Sequence, residues 1–211
     1  MKAIAALALT VSLAAPAALA VPFGNWSEQA FSRLDANQWR QSSRAVEVVS
    51  DSSVSLIWTR LPASEGATGR ASWDWSVRES VPATQLTKKG GDDRNLALYF
   101  MFLPADRAEA SRDANVRQML RSRDARVLMY VWGGDHSRGD VLPSPYLGKR
   151  GKTIIRRPAG TGSFQESVDL EADFQRAFGS QKTVLVGLAV SSDSDDTASS
   201  IRATLGGLKL D

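Results

Sequence analysis

Three apolar runs of strand length constrain this chain more than any other feature: LALYFMFL at Leu96–Leu103, RVLMYVW at Arg126–Trp132 and TVLVGLAV at Thr183–Val190. Each is apolar at both alternations, so each needs cover on both faces. Ala71–Val77 behaves differently. Trp73, Trp75 and Val77 fall on one parity and Asp74, Ser76 and Arg78 on the other, the period of a half-buried strand. Ala45–Val49, Ser53–Leu61, Lys152–Arg156 and Ile201–Leu210 are further strand segments. Strict strand–helix alternation is missing, which disfavours a doubly wound parallel sheet. The pattern predicts a mainly β chain: a single jelly-roll or β-sandwich domain over residues 21–211, with one or two short helices.

The helical segments are Ala105–Arg123, weakly amphipathic and expected on the surface, and Leu170–Phe178, with Leu170, Phe174, Ala177 and Phe178 facing a core and Gly179 as the stop. Trp26–Trp39 carries apolar residues partly at helical spacing and reads as a strand followed by a short helical turn. Glycines and prolines mark Gly133–Gly151 as a long loop, and loops of that length in compact domains are often functional.

The N-terminus constrains location. Lys2, the apolar stretch Ile4–Leu13 and the small-residue site Ala18-Leu19-Ala20 predict a signal peptide over residues 1–20, cleaved after Ala20. The apolar stretch is short for a membrane span, and no later stretch is long and apolar enough for one. The expected product is periplasmic or secreted. About 190 residues remain, enough for one sizeable core. With no cysteine, disulfides, thiolate metal sites and thiol nucleophiles are excluded, and the single His136 excludes zinc sites built from several histidines. The net charge of +3 is spread among acids with no dense basic run, so nucleic acid is not an expected partner.

Acidic residues gather in two places. Lys88-Lys89-Gly90-Gly91-Asp92-Asp93 precedes one buried run, and Ser191–Thr197, with Asp193, Asp195 and Asp196, follows another. Gly90 and Gly91 permit a tight turn that presents Asp92 and Asp93. Asp193 and Asp195 point the same way on extended backbone, and with Asp196 they form a candidate calcium site. Turns in which Asp and Ser cap their own backbone are the alternative. An ion pair from Asp93 to Arg94, Arg78 or Lys89 is a purely structural role for that charge.

Aromatic residues divide by position. Trp73 and Trp75 belong to a core face, whereas Trp132 and Tyr146 flank the long loop and are candidate ligand contacts, together with Asp135. His136 lies between Asp135 and Ser137. Neighbouring positions cannot assemble a catalytic triad, and no nucleophile elbow is present. Asp74, Glu79, Asp92, Asp93, Glu166 and Asp195 offer many carboxylate pairs for glycoside hydrolysis, with no spacing that singles one out.

Taken in order, ASWDWSV at 71–77, KKGGDD at 88–93, Tyr130-Val131-Trp132, Ser144-Pro145-Tyr146, Asp173-Phe174 before Phe178-Gly179, and the Ser191–Thr197 loop resemble the domain-of-unknown-function 3047 family. The resemblance implies an exported bacterial protein with a β-sandwich of the carbohydrate-binding type, and it implies no reaction. The family pattern has a Gly soon after the second acidic loop, where this chain has Ala198-Ser199. The leading expectation is an exported, non-catalytic sandwich binding a glycan or polyol through Asp92, Asp93, Trp132, Asp135 and Tyr146, with calcium bracing at Asp193, Asp195 and Asp196. A carboxylate-dependent polysaccharide hydrolase or lyase, and a structural protein without small ligand, are the alternatives.

Overall fold

The computed structural model describes residues 18–211 and has two β-sheets packed face to face. The strands are β1 (Leu19–Ala20), β2 (Ser27–Ala30), β3 (Gln38–Gln41), β4 (Ala45–Asp51), β5 (Val54–Arg60), β6 (Arg70–Glu79), β7 (Arg94–Leu103), β8 (Arg126–Trp132), β9 (Val141–Ser144), β10 (Gly148–Arg157), β11 (Gly162–Asp169), β12 (Val184–Asp193) and β13 (Ser200–Leu210). Three short helices join them: α1 (Ala105–Ala110), α2 (Val116–Arg121) and α3 (Leu170–Phe178). The first sheet runs β11-β6-β13-β4-β3, with β1 also on β13, and the second runs β2-β5-β12-β7-β8-β10-β9. Only β8 and β10 pair in parallel among the described strands. The mainly β sandwich expected from the sequence is the fold.

The alternating strand β6 inserts Trp73, Trp75 and Val77 between the sheets, where Trp73 meets Phe100 and Tyr130 and Trp75 meets Trp132. The three apolar runs, β7, β8 and β12, lie side by side in the second sheet. Their inward residues join this core, and their outward residues, among them Met101, Val127 and Met129, form a second cluster beneath α2. Cover on both faces is why these strands read as apolar at every position.

Three expectations are corrected and one strand is added. Residues 105–123 form two helices, because Asn115 starts α2 with a reciprocal capping box to Gln118, and Val116 and Met119 are buried against the second sheet. No helical turn follows β2: Phe31 and Leu34 are exposed while Trp26 is buried, so these apolar residues share no face. The stretch Gly133–Gly151 contains β9 and the start of β10; β9 lies at the sheet edge, where Pro143 is tolerated. β11 is an additional strand whose inward residues include the charged Glu166.

The expected leader, residues 1–20, lies outside the described residues except for its last three. Of these, Leu19 and Ala20 pair with Leu210 and Lys209. The core begins immediately after, with Val21 and Phe23 buried. No described helix is long and apolar enough to cross a membrane.

Candidate functional site: the outer trough of the second sheet and its acidic end

Pairing of β7 with β12 brings the two acidic segments together at one end of the second sheet, with Asp193 opposite Arg94. Asp93 is fully buried and holds the β12–β13 turn: Thr197 donates to it from N at 2.8 Å and from Oγ1 at 2.5 Å, and the Asp196 amide donates at 3.3 Å. Below the turn, Ser50 and Ser194 hydroxyls meet at 2.7 Å, and Asn37 donates to the Ser192 carbonyl at 2.8 Å. The turn is therefore fastened from two sides.

Arg94 organises the rest. Its Nη1 donates to Asp92 Oδ2 at 3.1 Å and to Asp193 Oδ2 at 2.9 Å, and its Nη2 donates to Tyr99 OH at 3.1 Å. Burial opposes its charge, but Tyr99, Asp193 and Asp92 outweigh burial and hold it above its ordinary value, so the guanidinium stays charged. Tyr146, 60% exposed, donates its hydroxyl to Asp92 Oδ1 at 2.9 Å. Shielding of that hydroxyl and the Asp92 contact raise the phenol above its usual range. Burial pushes the Asp193 carboxyl up to about 8, with Arg94 opposing and Asp195 adding to the rise. Asp193 Oδ1 is buried without a donor. The neighbouring Asp195 can share a proton with Asp193 but donates nothing when ionised.

The network closes one end of a trough on the outer face of the sheet. Register places Trp58, Ala189, Tyr99 and Met129 in one row across β5, β12, β7 and β8. The adjoining rows place Gly187 beside Met101, and Ser191 between Leu56 and Ala97. Small residues at 187, 189 and 191 thus form a floor between an indole and a phenol, both half-buried. Val116 and Met119 of α2 wall one end around a cavity of about 50 Å³, and Leu147 borders it. At the other end the Tyr99 hydroxyl meets Ser191 Oγ at 2.9 Å, beside Arg94.

Of the residues expected from the sequence, Asp92, Asp93 and Tyr146 meet in this network. Trp132 does not: it is 1% exposed, packed on Trp75 and Phe164 in the core, and offers no ring face to a ligand. Asp135 is exposed in the loop after β8, and the hydrogen bond at its position is from its backbone amide to Thr84 O. Asp196 is exposed and contributes its amide; the carboxylates that converge are those of Asp93, Asp193 and Asp195. Asp93 pairs with the turn and not with Arg94, Arg78 or Lys89. His136 accepts the Leu86 amide at Nε2. Trp58 and Tyr99 were not singled out as ligand contacts, and Arg94 and Ser191 were expected only as an ion-pair donor and a cation ligand, although Gly187, Ala189, Ser191 and Asp193 alternate along β12 as a run of small residues ending in polar ones.

Glu166 forms a separate site between the sheets. Its side chain is fully buried and bound by Arg138, Arg156 and Arg157 at 3.0, 2.6 and 2.8 Å. Burial opposes its ionisation, and the guanidiniums, Arg156 foremost, outweigh burial and hold it below the usual carboxylate range.

Ala198 follows the acidic turn with φ +49°. This left-handed conformation costs about 1–2 kcal/mol for a residue with Cβ and little for Gly. After the unfolded-state entropy of Gly is deducted, Ala198→Gly is expected to raise stability by about 0.5–1 kcal/mol in urea melts.

Among solved structures, the chain is similar to the xyloglucanase domain of NopAA, a type three effector from Sinorhizobium fredii, in complex with cellobiose: 11% identity, 88% of this chain and 92% of that one, TM-score 0.49. It is also similar to a loop-swap mutant of Necallimastix patriciarum Xyn11A, at 9% identity over 88% of this chain and 99% of that one, TM-score 0.38. No curated protein matches the sequence. A family model described as "Protein of unknown function (DUF3047)" matches residues 24–209, nearly the whole chain, and the protein belongs to that family.

Proposed function

We propose that the protein is an exported, non-catalytic β-sandwich that binds a glycan or another polyol in the trough above β12. The observation that carries this reading is the row Trp58–Ala189–Tyr99, with a small residue between two aromatic side chains and the Tyr99–Ser191–Arg94 hydroxyl and guanidinium groups at its end. Stacking on the rings supplies dispersion and desolvation, and the polar end orients hydroxyls. Tyr146, held by Asp92 yet largely exposed, adds a ring with fixed orientation. Export is supported by the positive start, short apolar stretch and small-residue site of residues 1–20.

The state of the carboxylates supports binding without catalysis. A hydrolase needs two convergent acids, one of them free to give up a proton. Here Asp92 is held by Arg94 and Tyr146, Asp93 by Thr197, and Glu166 by three arginines; Asp193, the carboxyl pushed up to about 8, is buried and bound to Arg94.

The test is calorimetric titration with cellohexaose, xylohexaose, mannohexaose and chitohexaose, with reducing-end release measured alongside. At least one sugar is expected to bind, and release is expected to stay at background. Tyr146→Ala and Trp58→Leu, which keeps apolar bulk, should each weaken binding about tenfold or more. Absence of binding to all four by folded protein would contradict the reading, and product release would replace it with the hydrolase or lyase.

A further inference from the structure

The acidic end holds an uncompensated group that the trough does not use. One carboxylate oxygen from each of Asp93, Asp193 and Asp195 lies within 4.8 Å of the others. Asp193 has a side chain only 9% exposed; its Oδ2 takes Arg94, and its Oδ1 has no partner. Asp93 binds the turn through three donors, two at Oδ2 and one at Oδ1, so Oδ1 keeps an open lone pair. Five carboxylates gather here, at 92, 93, 193, 195 and 196, and Arg94 is the guanidinium bound among them.

We propose that Asp93, Asp193 and Asp195 bind a hard divalent cation, calcium in preference to magnesium. The unpartnered, buried Asp193 Oδ1 points to a ligand in a way that an exposed acidic cluster would not. Ligand chemistry selects the ion: a buried carboxylate oxygen requires the cation to shed water and to accept irregular geometry, which calcium does readily, whereas magnesium demands a near-ideal octahedron and gives up water reluctantly. Three protein oxygens leave the rest of the shell to water, which puts affinity in the weak range of about 10⁻⁴–10⁻³ M found in extracellular modules. The cation would tie the end of β12 to the residue preceding β7 and fix the floor beneath Tyr146. The site needs no sugar in the trough.

The experiment is thermal melting of the purified, chelator-stripped protein, without sugar, in 10 mM CaCl2 or 10 mM MgCl2, with calorimetric titration of CaCl2. Calcium at about 10–100 times its dissociation constant should raise Tm by roughly 3–10 °C, and magnesium by less than half as much. Asp195→Asn, at a half-exposed position, and Asp193→Asn, which keeps the shape but removes the carboxylate, should each abolish most of the calcium shift while the protein still melts cooperatively. No shift and no heat with calcium, an equal shift with magnesium, or a full calcium shift in both variants would each overturn the proposal.

Discussion

Glu166→Gln is expected to lower stability by about 3–5 kcal/mol, because breaking a buried ion pair from one side leaves its partner charges uncompensated. The side chain is fully buried on β11, an edge strand of the first sheet, and its partners Arg156 and Arg157 lie on β10 of the second. Gln preserves shape and hydrogen-bonding reach but removes the charge, so three guanidiniums, two of them mostly buried, face a neutral amide. At about 2–4 °C per kcal/mol for a domain of this size, Tm should fall by roughly 6–20 °C. The pH dependence has a definite sign. The folded-state pKa of Glu166 is lowered, so its contribution is present above the ordinary carboxylate range and is lost as pH falls through the folded value. The gap between wild type and Glu166→Gln should therefore narrow in urea melts taken from pH 6 down toward pH 3. A gap that is small at pH 6, or that widens on acidification, would show that the cluster is solvated and contributes little.

Arg94→Met carries a comparable penalty for the opposite reason. It removes the cation between Asp92 and Asp193, whose side chains are 4% and 9% exposed. Two buried carboxylates then lack a counter-charge, and a loss of about 3–5 kcal/mol is expected. Neutralising one of them should restore part of the loss. The double variant Arg94→Met/Asp193→Asn should be more stable than the sum of its single variants, with a coupling of about 1–3 kcal/mol in a double-mutant cycle. Additive single effects would mean that Arg94 and Asp193 do not act as a pair.

The strands were legible where one face or both faces demanded apolar residues. β6 alternates because one side meets the core and the other faces outward, and β7, β8 and β12 are apolar throughout because both sides are covered. β11 was hidden because one of its inward positions is Glu166, a charge that can be buried only with arginines from a strand that is not its sequence neighbour. β9 was hidden by Pro143, which excludes a central strand but not an edge one. Trp132 and Tyr146 look alike as aromatics beside a glycine-rich stretch. Parity separates them, since Leu128, Tyr130 and Trp132 alternate toward the opposite sheet.

The candidate site was legible only in pieces. Each acidic segment is evident locally, but the bonds between Asp93 and Thr197 span a separation of 104 residues and exist because β7 pairs with β12. Local spacing placed Asp196 beside Asp195, whereas the fold leaves Asp196 exposed and brings Asp93 next to Asp193 and Asp195. The trough required knowing which strands adjoin β12, since its aromatic sides come from β5 and β7.

The most direct test of the trough is an amide NMR titration of the ¹⁵N-labelled protein with the tightest-binding of the four hexasaccharides. Binding above β12 predicts that the largest shifts fall on the Trp58 indole N–H and on the amides of Gly187, Ala189, Ser191 and Tyr146. Shifts confined to the opposite outer surface, where Asp74, Ser76, Gln165 and Thr204 line a hollow of about 370 Å³, would contradict it.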